Sequence, residues 1–308
     1  MNRGMNKAVI ITRKTRYEEL KKRYNTAEQA RFYIEHLGAD FSDYEKEDEN
    51  YRKALDIVNT QIRSLARVQM IDREYIPNMI FGKDDIVIAV GQDGLVANTM
   101  KYLDGQPLIG VNPDPGRWEG DLLPFEASDV GPAVLKVLKG NADFRSVTMG
   151  KIESSDGQVL YAVNDFFIGV SDQTSARYSI RYNGRTENQS SSGVIISTGL
   201  GMTGWHKSVM AGFKGMAKAF NLGEVKEPEF RWDDRKLVFQ VREPYPSRFT
   251  GAGIVYGDVS EEERLILSSQ MSENGVVFSD GITDDAIEFN AGMKVTVSVA
   301  DRAGRLVV

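Results

Sequence analysis

Five consecutive apolar residues, Ile86-Val87-Ile88-Ala89-Val90, run straight into Gly91-Gln92-Asp93-Gly94. So short and uniformly apolar a run reads as a buried strand, and the flanking glycines open it onto a tight turn. A small backbone there lets a phosphate approach closely while the Asp93 carboxylate waits beside it. The same Gly-x-Asp-Gly also reads as an ordinary strand-to-helix turn, so the turn chemistry by itself leaves both readings open.

The rest of the first 125 residues alternates strands with helices. Lys7 to Thr12 reads as a buried strand, followed by polar residues and then a helix over Ala27 to Leu37 that Thr26 caps. Glu45 to Asn50 is a charge run, read as a solvated face, and after it Ala54, Leu55, Val58, Ile62 and Leu65 recur at helical spacing. Further strands fall at Val68 to Ile71, Asp85 to Val90 and Pro107 to Val111. This alternation predicts an α/β, Rossmann-like domain over residues 1–125, with a mostly parallel, doubly wound sheet.

Beyond a helix near Val130 to Leu138 the pattern turns to short strands. They are predicted at Val147 to Ile152, Val159 to Ile168, Tyr178 to Tyr182, Val194 to Ser197 and Leu237 to Val241, then at Leu265 to Leu267, Val276 to Phe278 and Val295 to Val299. Asp156-Gly157, Asn183-Gly184 and Asn274-Gly275 are hairpin signals between them. Residues 126–308 are therefore expected to form an all-β, antiparallel sandwich domain, with the site in the cleft between the two domains.

Charge and composition remove several function classes. With 38 basic and 44 acidic side chains the net charge is −6, and no basic block stands out, so a nucleic acid partner is not expected. Cysteine is absent, which excludes disulfides, thiolate nucleophiles and sulfur-ligated zinc. No apolar run approaches the roughly 20 residues needed to cross a bilayer. The first strand begins by Lys7, leaving no room for a signal peptide, so the cytoplasm is the expected compartment. Of the two histidines, His36 reads as a structural cation at a helix end and His206 as packing beside a pocket. Arg242 reads as a surface or salt-bridged arginine, and Asp258 to Glu263 as a solvated loop.

Two later segments bear on the chemistry. In Tyr161-Ala162-Val163-Asn164-Asp165-Phe166-Phe167-Ile168-Gly169 a polar pair interrupts an apolar strand, and such a pair needs partners if it is buried. Asn164-Asp165 either closes one strand and turns into the next, or hydrogen-bonds the base and sugar hydroxyls of a nucleotide. Ser190 to Trp205 joins a hydroxyl-rich turn containing Ser192, a strand, and a glycine-rich passage into a helix beginning near Thr203. An exposed Trp205 there offers a stacking face, while the composition is also that of a plain loop.

The order of Gly91-Gln92-Asp93-Gly94, Asn164-Asp165 and Ser197-Thr198-Gly199-Leu200-Gly201-Met202-Thr203-Gly204-Trp205 resembles the NAD kinase family, most closely its divergent mitochondrial-type branch. That family carries a Gly-Gly-Asp-Gly turn, an Asn-Glu pair and a Thr-Gly-Ser-Thr-Ala-Tyr-type loop. Ile11 to Glu18, Gly110 to Pro115, Arg242-Glu243-Pro244, Val277 to Gly281 and Ile287 to Asn290 also resemble it, so the likeness spans nearly the whole chain. It implies transfer of the γ-phosphate of ATP, or of another phosphate donor, to the 2′-hydroxyl of the adenosine ribose of NAD, giving NADP. Asp93 would be the general base, with Gly91, Gln92 and Gly94 near the phosphates. Asn164 and Asp165 would hold the adenine and ribose of NAD, Ser192 stands where many members have aspartate, and Thr203 and Trp205 would line the adenosine pocket. Mg²⁺ would accompany ATP without a dedicated protein cage, and the family implies a homodimer or larger homo-oligomer.

This sequence departs from the family at several positions. Gln92 replaces a glycine, at a cost of roughly 1–2 kcal/mol should that position demand a positive φ. Asp165 is one methylene shorter than the usual glutamate, Leu95 replaces a common threonine, and Met202 replaces a small hydroxyl residue or lysine. Two other readings follow. One is a weakly active or inactive nucleotide-binding relative; the other is a superfamily kinase acting on a sugar or lipid hydroxyl, since an aspartate beside a glycine turn serves any alcohol.

Overall fold

Residues 6–226 and 229–308 are described in the computed structural model. They fall into two units, residues 6–145 with Arg305–Val308, and Ser146–Gly304.

The first unit is α/β. In chain order it holds β1 (Lys7–Thr12), α1 (Arg16–Tyr24), α2 (Ala27–His36), α3 (Ser42–Arg63), β2 (Arg67–Asp72), β3 (Ile86–Val90), α4 (Asp93–Met100), β4 (Pro107–Asn112), β5 (Phe125–Glu126) and α5 (Val130–Leu138). β2, β1, β3 and β4 lie side by side and parallel. Arg305 and Leu306, at the end of the chain, extend the sheet by pairing parallel with Pro107 and Leu108. Every residue of β3 is buried, as its apolar run predicts. α3 turns Tyr51, Ala54, Val58 and Ile62 onto the sheet, a spacing of three or four residues that keeps them on one face. α2 begins at Thr26, whose side chain accepts the Gln29 N–H, and ends with His36 in its last turn, the ring stacked on Phe32.

Two readings of this unit need correction. The polar stretch after β1 is a helix, α1, opened by a capping box in which Thr15 and Glu18 each accept the other's backbone N–H. The charge run is part of α3 and is not a solvated face: Glu47 is 2% and Asp48 8% exposed. Glu47 is ion-paired with Arg13 and Arg16, and Asp48 accepts the buried Thr15 hydroxyl, which compensates the loss of water.

The second unit is two antiparallel sheets. The chain enters it in β6 (Phe144–Ser154), continues through β7 (Val159–Ala162), β8 (Asp165–Val170), β9 (Ala176–Tyr182), β10 (Arg185–Ser191), β11 (Val194–Ser197), α6 (Trp205–Ala219), β12 (Leu237–Val241), β13 (Tyr256–Val259), β14 (Leu265–Ser269), β15 (Gly275–Ser279) and β16 (Ile282–Glu288), and leaves in β17 (Lys294–Val307). One sheet runs β10-β9-β14-β17, with the β6-β7 hairpin beside β17; the other runs β13-β12-β11-β8-β15-β16. Their inner faces enclose a core that includes Tyr178 and Ile180 from the first and Phe166, Ile196 and Phe239 from the second.

Asn183-Gly184 forms the expected hairpin between β9 and β10, with φ of 48° and 68°. Asn274-Gly275 does not. The segment carries the chain from β14 in one sheet to β15 in the other, with Asn274 at φ 60°. The predicted strand Val159 to Ile168 is likewise two strands in different sheets, broken at Val163-Asn164. Asp258 belongs to β13, whereas Glu261 and Glu262 stand in an exposed turn.

Candidate functional site

In a parallel sheet, ligands bind beyond the carboxyl ends of strands where the strand order reverses direction. Here that point lies between β1 and β3, since β2 is laid down on one side of β1 and β3 and β4 on the other. Tyr51 ties the two strand ends together: its hydroxyl accepts the Arg13 N–H at 2.8 Å and donates to the Val90 carbonyl at 3.2 Å. Burial pushes the Tyr51 hydroxyl up to about 12, so it keeps its proton.

Asp93 opens α4 directly beyond β3. Its two carboxylate oxygens each accept one backbone N–H, from Asp121 and from Leu122, both at 3.1 Å. That hold depends on glycines. A Cβ at Gly120 would stand 2.5 Å from Asp93 Oδ1, and one at Gly110 in β4 would stand 1.9 Å from the Leu122 carbonyl oxygen. The loop is fixed at its start by Asn112, which accepts the Asp114 N–H and donates to the Trp118 carbonyl. Burial raises the Asp93 carboxyl above its ordinary range; the Leu122 and Asp121 N–H groups oppose the shift and the Asp121 charge adds to it.

Gly91 is buried, and a Cβ there would lie 2.8 Å from Leu95 Cδ2. Gly94 is exposed, with nothing within 4 Å of its Cβ position. Position 92 does not demand a positive φ: Gln92 has φ −113° and ψ 167°, extended backbone that carries none of the cost feared for a side chain there.

In the second unit, Asn164 and Asp165 stand at the corner where the chain crosses from one sheet to the other. Asp280 closes that corner: its carboxylate accepts the backbone N–H groups of Val163 (3.0 Å), Asn164 (2.7 Å) and Asp165 (3.2 Å). Its own N–H donates to the Asp165 carbonyl, and Thr198 donates from its hydroxyl to Val163 and from its N–H to Asn164. Asp280 holds φ 53° in an Asp-Gly turn between β15 and β16. Burial, with the Asp280 carboxylate beside it, pushes Asp165 up to about 7. Gly201 is required where the next loop crosses this corner, since its Cβ would lie 2.1 Å from the Asn164 carbonyl oxygen.

Ser192 and Trp205 meet through Arg242. The Ser192 N–H donates to the Arg242 carbonyl at 3.0 Å, and the Arg242 guanidinium lies 5.6 Å over the Trp205 ring. Trp205 is half-buried, stacked at 5.6 Å on Phe167, which stacks in turn on Phe278. Thr203 is exposed and its hydroxyl donates to the Leu200 carbonyl. His206 is fully buried beside Tyr256. Asn164, Asp165 and the 201–203 turn are thus brought together, with Trp205 against the same sheet. Asp280 and Thr198, central to this corner, carried no chemical reading of their own in the sequence; the Asp280-Gly281 turn dipeptide was the available signal.

No protein-family model matches the chain. Over 251 residues it is 26% identical to mitochondrial NAD kinase 2 of Rattus norvegicus, a match covering 65% of this chain and 59% of that protein, so the chain spans under two thirds of the relative's length. Its fold is that of an NAD kinase from Archaeoglobus fulgidus solved with ATP (TM-score 0.54, 16% identity, 98% of this chain and 93% of the other). It is also that of yeast NADH kinase solved with NADH (TM-score 0.56, 14% identity, 99% of this chain and 84% of the other). The chain resembles NAD kinases in sequence and shares their fold. No helix among the described residues is long and apolar enough to cross a membrane.

Proposed function

We propose that the chain is an NAD kinase, transferring the terminal phosphoryl group of ATP to the 2′-hydroxyl of the adenosine ribose of NAD. The observation that carries this reading is Asp93: a carboxylate at the carboxyl end of a buried parallel strand, beside the switch point, held by backbone donors and with its proton affinity raised. In the proposed step Asp93 takes the hydroxyl proton as the 2′-oxygen bonds to phosphorus, and the bond from that phosphorus to the bridging oxygen of ADP breaks. A raised pKa suits this task, because it makes the carboxylate a stronger base near neutral pH. Asn164 and Asp165 are assigned to the adenine and ribose hydroxyls, with Ser192, Thr203 and Trp205 beside them.

Magnesium riding on nucleotide phosphates needs one or two protein carboxylates, not a cage. Asp121, whose charge is felt at Asp93, would supply such a carboxylate and leave Asp93 to take the proton. Bound there, the ion would neutralise charge on the transferring phosphates. The same reading includes a homo-oligomer in the cytoplasm.

The test is product identity. Purified protein given NAD, ATP and Mg²⁺ should yield a dinucleotide whose new phosphate ³¹P NMR places on the adenosine 2′-oxygen. A phosphate on any other alcohol, or transfer to a sugar or lipid in preference to NAD, defeats the proposal. A second reading, a nucleotide-binding relative without turnover, is favoured by the engagement of both Asp93 oxygens with the 121–122 backbone. It predicts saturable NAD binding and no product.

A further inference from the structure

Residues 113–124 join β4 to β5 and bring the Asp121 and Leu122 N–H groups to Asp93. A connection without a strand ladder keeps its place through individual contacts. Asn112 fixes its first residues, and α3 holds its outer side. Arg117 Nη1 and Nη2 donate to the two carboxylate oxygens of Asp43, in the first turn of α3, at 2.9 and 2.6 Å. Nη2 also reaches the Asp43 carbonyl at 3.4 Å, and Nε donates to Asp114 at 3.3 Å. Asn50, farther along α3, donates to the same Asp114 oxygen at 3.0 Å, while Asp43 accepts Arg16 of α1 at 3.0 Å.

A fork of two N–H donors on one carboxylate fixes direction as well as distance. Its effect on overall stability is small, because the Asp43 side chain is 43% exposed and water screens the pair. Its effect is local: it selects one arrangement of the segment that carries it. Arg117 stands only a few residues before the two donors to Asp93. Between them Gly120 approaches so closely that a Cβ would stand 2.5 Å from Asp93 Oδ1. A displacement at Arg117 therefore reaches the carboxylate with little slack.

We infer that Arg117 is a positioning residue, whose fork on Asp43 holds the loop where it fixes the plane of the Asp93 carboxylate. The terminal torsion of an aspartate is soft, so that plane is set by what the oxygens accept. With one N–H on each oxygen the remaining lone pairs keep a single direction toward an incoming hydroxyl. Arg117 acts through the 118–122 backbone and not on the reacting atoms. The inference rests on the proposed role of Asp93 as the base.

The test reads the loop and the reaction separately. Arg117→Gln removes the fork and the charge, Arg117→Lys keeps the charge alone, and Asp43→Ala removes the partner. In each, native-state hydrogen exchange of the Leu122 amide should quicken at least about tenfold, while the amide of Ile88, in the core of the parallel sheet, stays within about twofold of wild type. With NAD, ATP and Mg²⁺, kcat should fall at least about tenfold in all three, with KM for NAD within about twofold. Arg117→Gln combined with Asp43→Ala should be no worse than either alone, since both break one contact. Wild-type protection of Leu122 in Arg117→Gln, equal acceleration at Ile88, or faster Leu122 exchange with kcat unchanged overturns the inference. Wild type that forms no NADP defeats the proposed function instead, and the carboxyl ¹³C shift of Asp93 at neutral pH then decides the clamp: moved in both Arg117→Gln and Asp43→Ala it stands, unmoved in either it falls.

Discussion

Asp165→Asn isolates the cost of keeping a carboxyl at the sheet-switching corner. Asp165 is pushed up to about 7 by burial and by Asp280, against an unfolded value near 3.8. Its folded form therefore binds a proton that the unfolded chain has released. The associated stability is fully present below the unfolded pKa and is lost as pH rises through about 7. The difference corresponds to about 4 kcal/mol at most, and relaxation of the corner reduces it to roughly 2–4 kcal/mol. Asparagine resembles the protonated acid in shape and cannot ionise. The variant should match wild type near pH 4 and exceed it by roughly 2–4 kcal/mol at pH 8, which for a domain of this size is roughly 5–15 °C in Tm. Thermal unfolding across pH 4–8 reads this directly. Parallel wild-type and variant curves, with a constant gap at every pH, would refute the reasoning, because they would mean that Asp165 is ionised throughout.

Three further outcomes follow from local geometry. Gln92→Gly should change stability by less than about 1 kcal/mol and leave turnover unchanged, since the extended backbone at position 92 suits any residue; a several-fold gain in NADP formation would contradict this. Glu47→Gln should cost about 3 kcal/mol in a urea melt by leaving Arg13 and Arg16 without their buried partner; a loss under about 1 kcal/mol would show the pair to be energetically idle. Gly193→Ala should cost about 2–4 kcal/mol, because φ is +104° there and the new Cβ would stand 2.6 Å from the Phe167 ring; a wild-type Tm would contradict that packing.

Elements whose burial is uniform were plain in the sequence. β1, β3 and β4 are apolar over nearly their whole length, and α3 carries its core residues at helical spacing. α1 was missed because it buries no residue and so leaves no apolar stripe; its one local signal was the Thr15 to Glu18 capping box. β10 was missed because Arg185–Ser191 is wholly polar, paired at the sheet edge with β9 alone. Val159 to Ile168 looked like a single strand because a change of sheet alters which face is buried and not how apolar the residues are. The charge run misled because the groups that bury Glu47 and Asp48, namely Arg13, Arg16 and Thr15, lie more than 30 positions away, although Asp48 also pairs with Arg52 one turn along α3.

The candidate site divides in the same way. Asp93 was legible from the turn that follows β3. The donors that hold it, Asp121 and Leu122, come from a loop whose approach becomes visible only in Gly110 and Gly120. Asn164-Asp165 stood out as a polar break, but its partner Asp280 lies over 100 residues on. Arg117 drew no notice, because its partner Asp43 lies 74 positions away.

The central claim is that Asp93 removes the proton from the acceptor hydroxyl, and the most direct measurement is NADP formation by wild type and Asp93→Asn as a function of pH. Wild type should turn over with an acidic limb in kcat/KM lying above the ordinary aspartate range, because the Asp93 pKa is raised and activity requires its ionised form. Asp93→Asn should lose about 10²–10⁴ in kcat while still binding NAD. Wild type making no NADP with ATP, other triphosphates or polyphosphate, or a variant retaining wild-type kcat with the same acidic limb, would contradict the account.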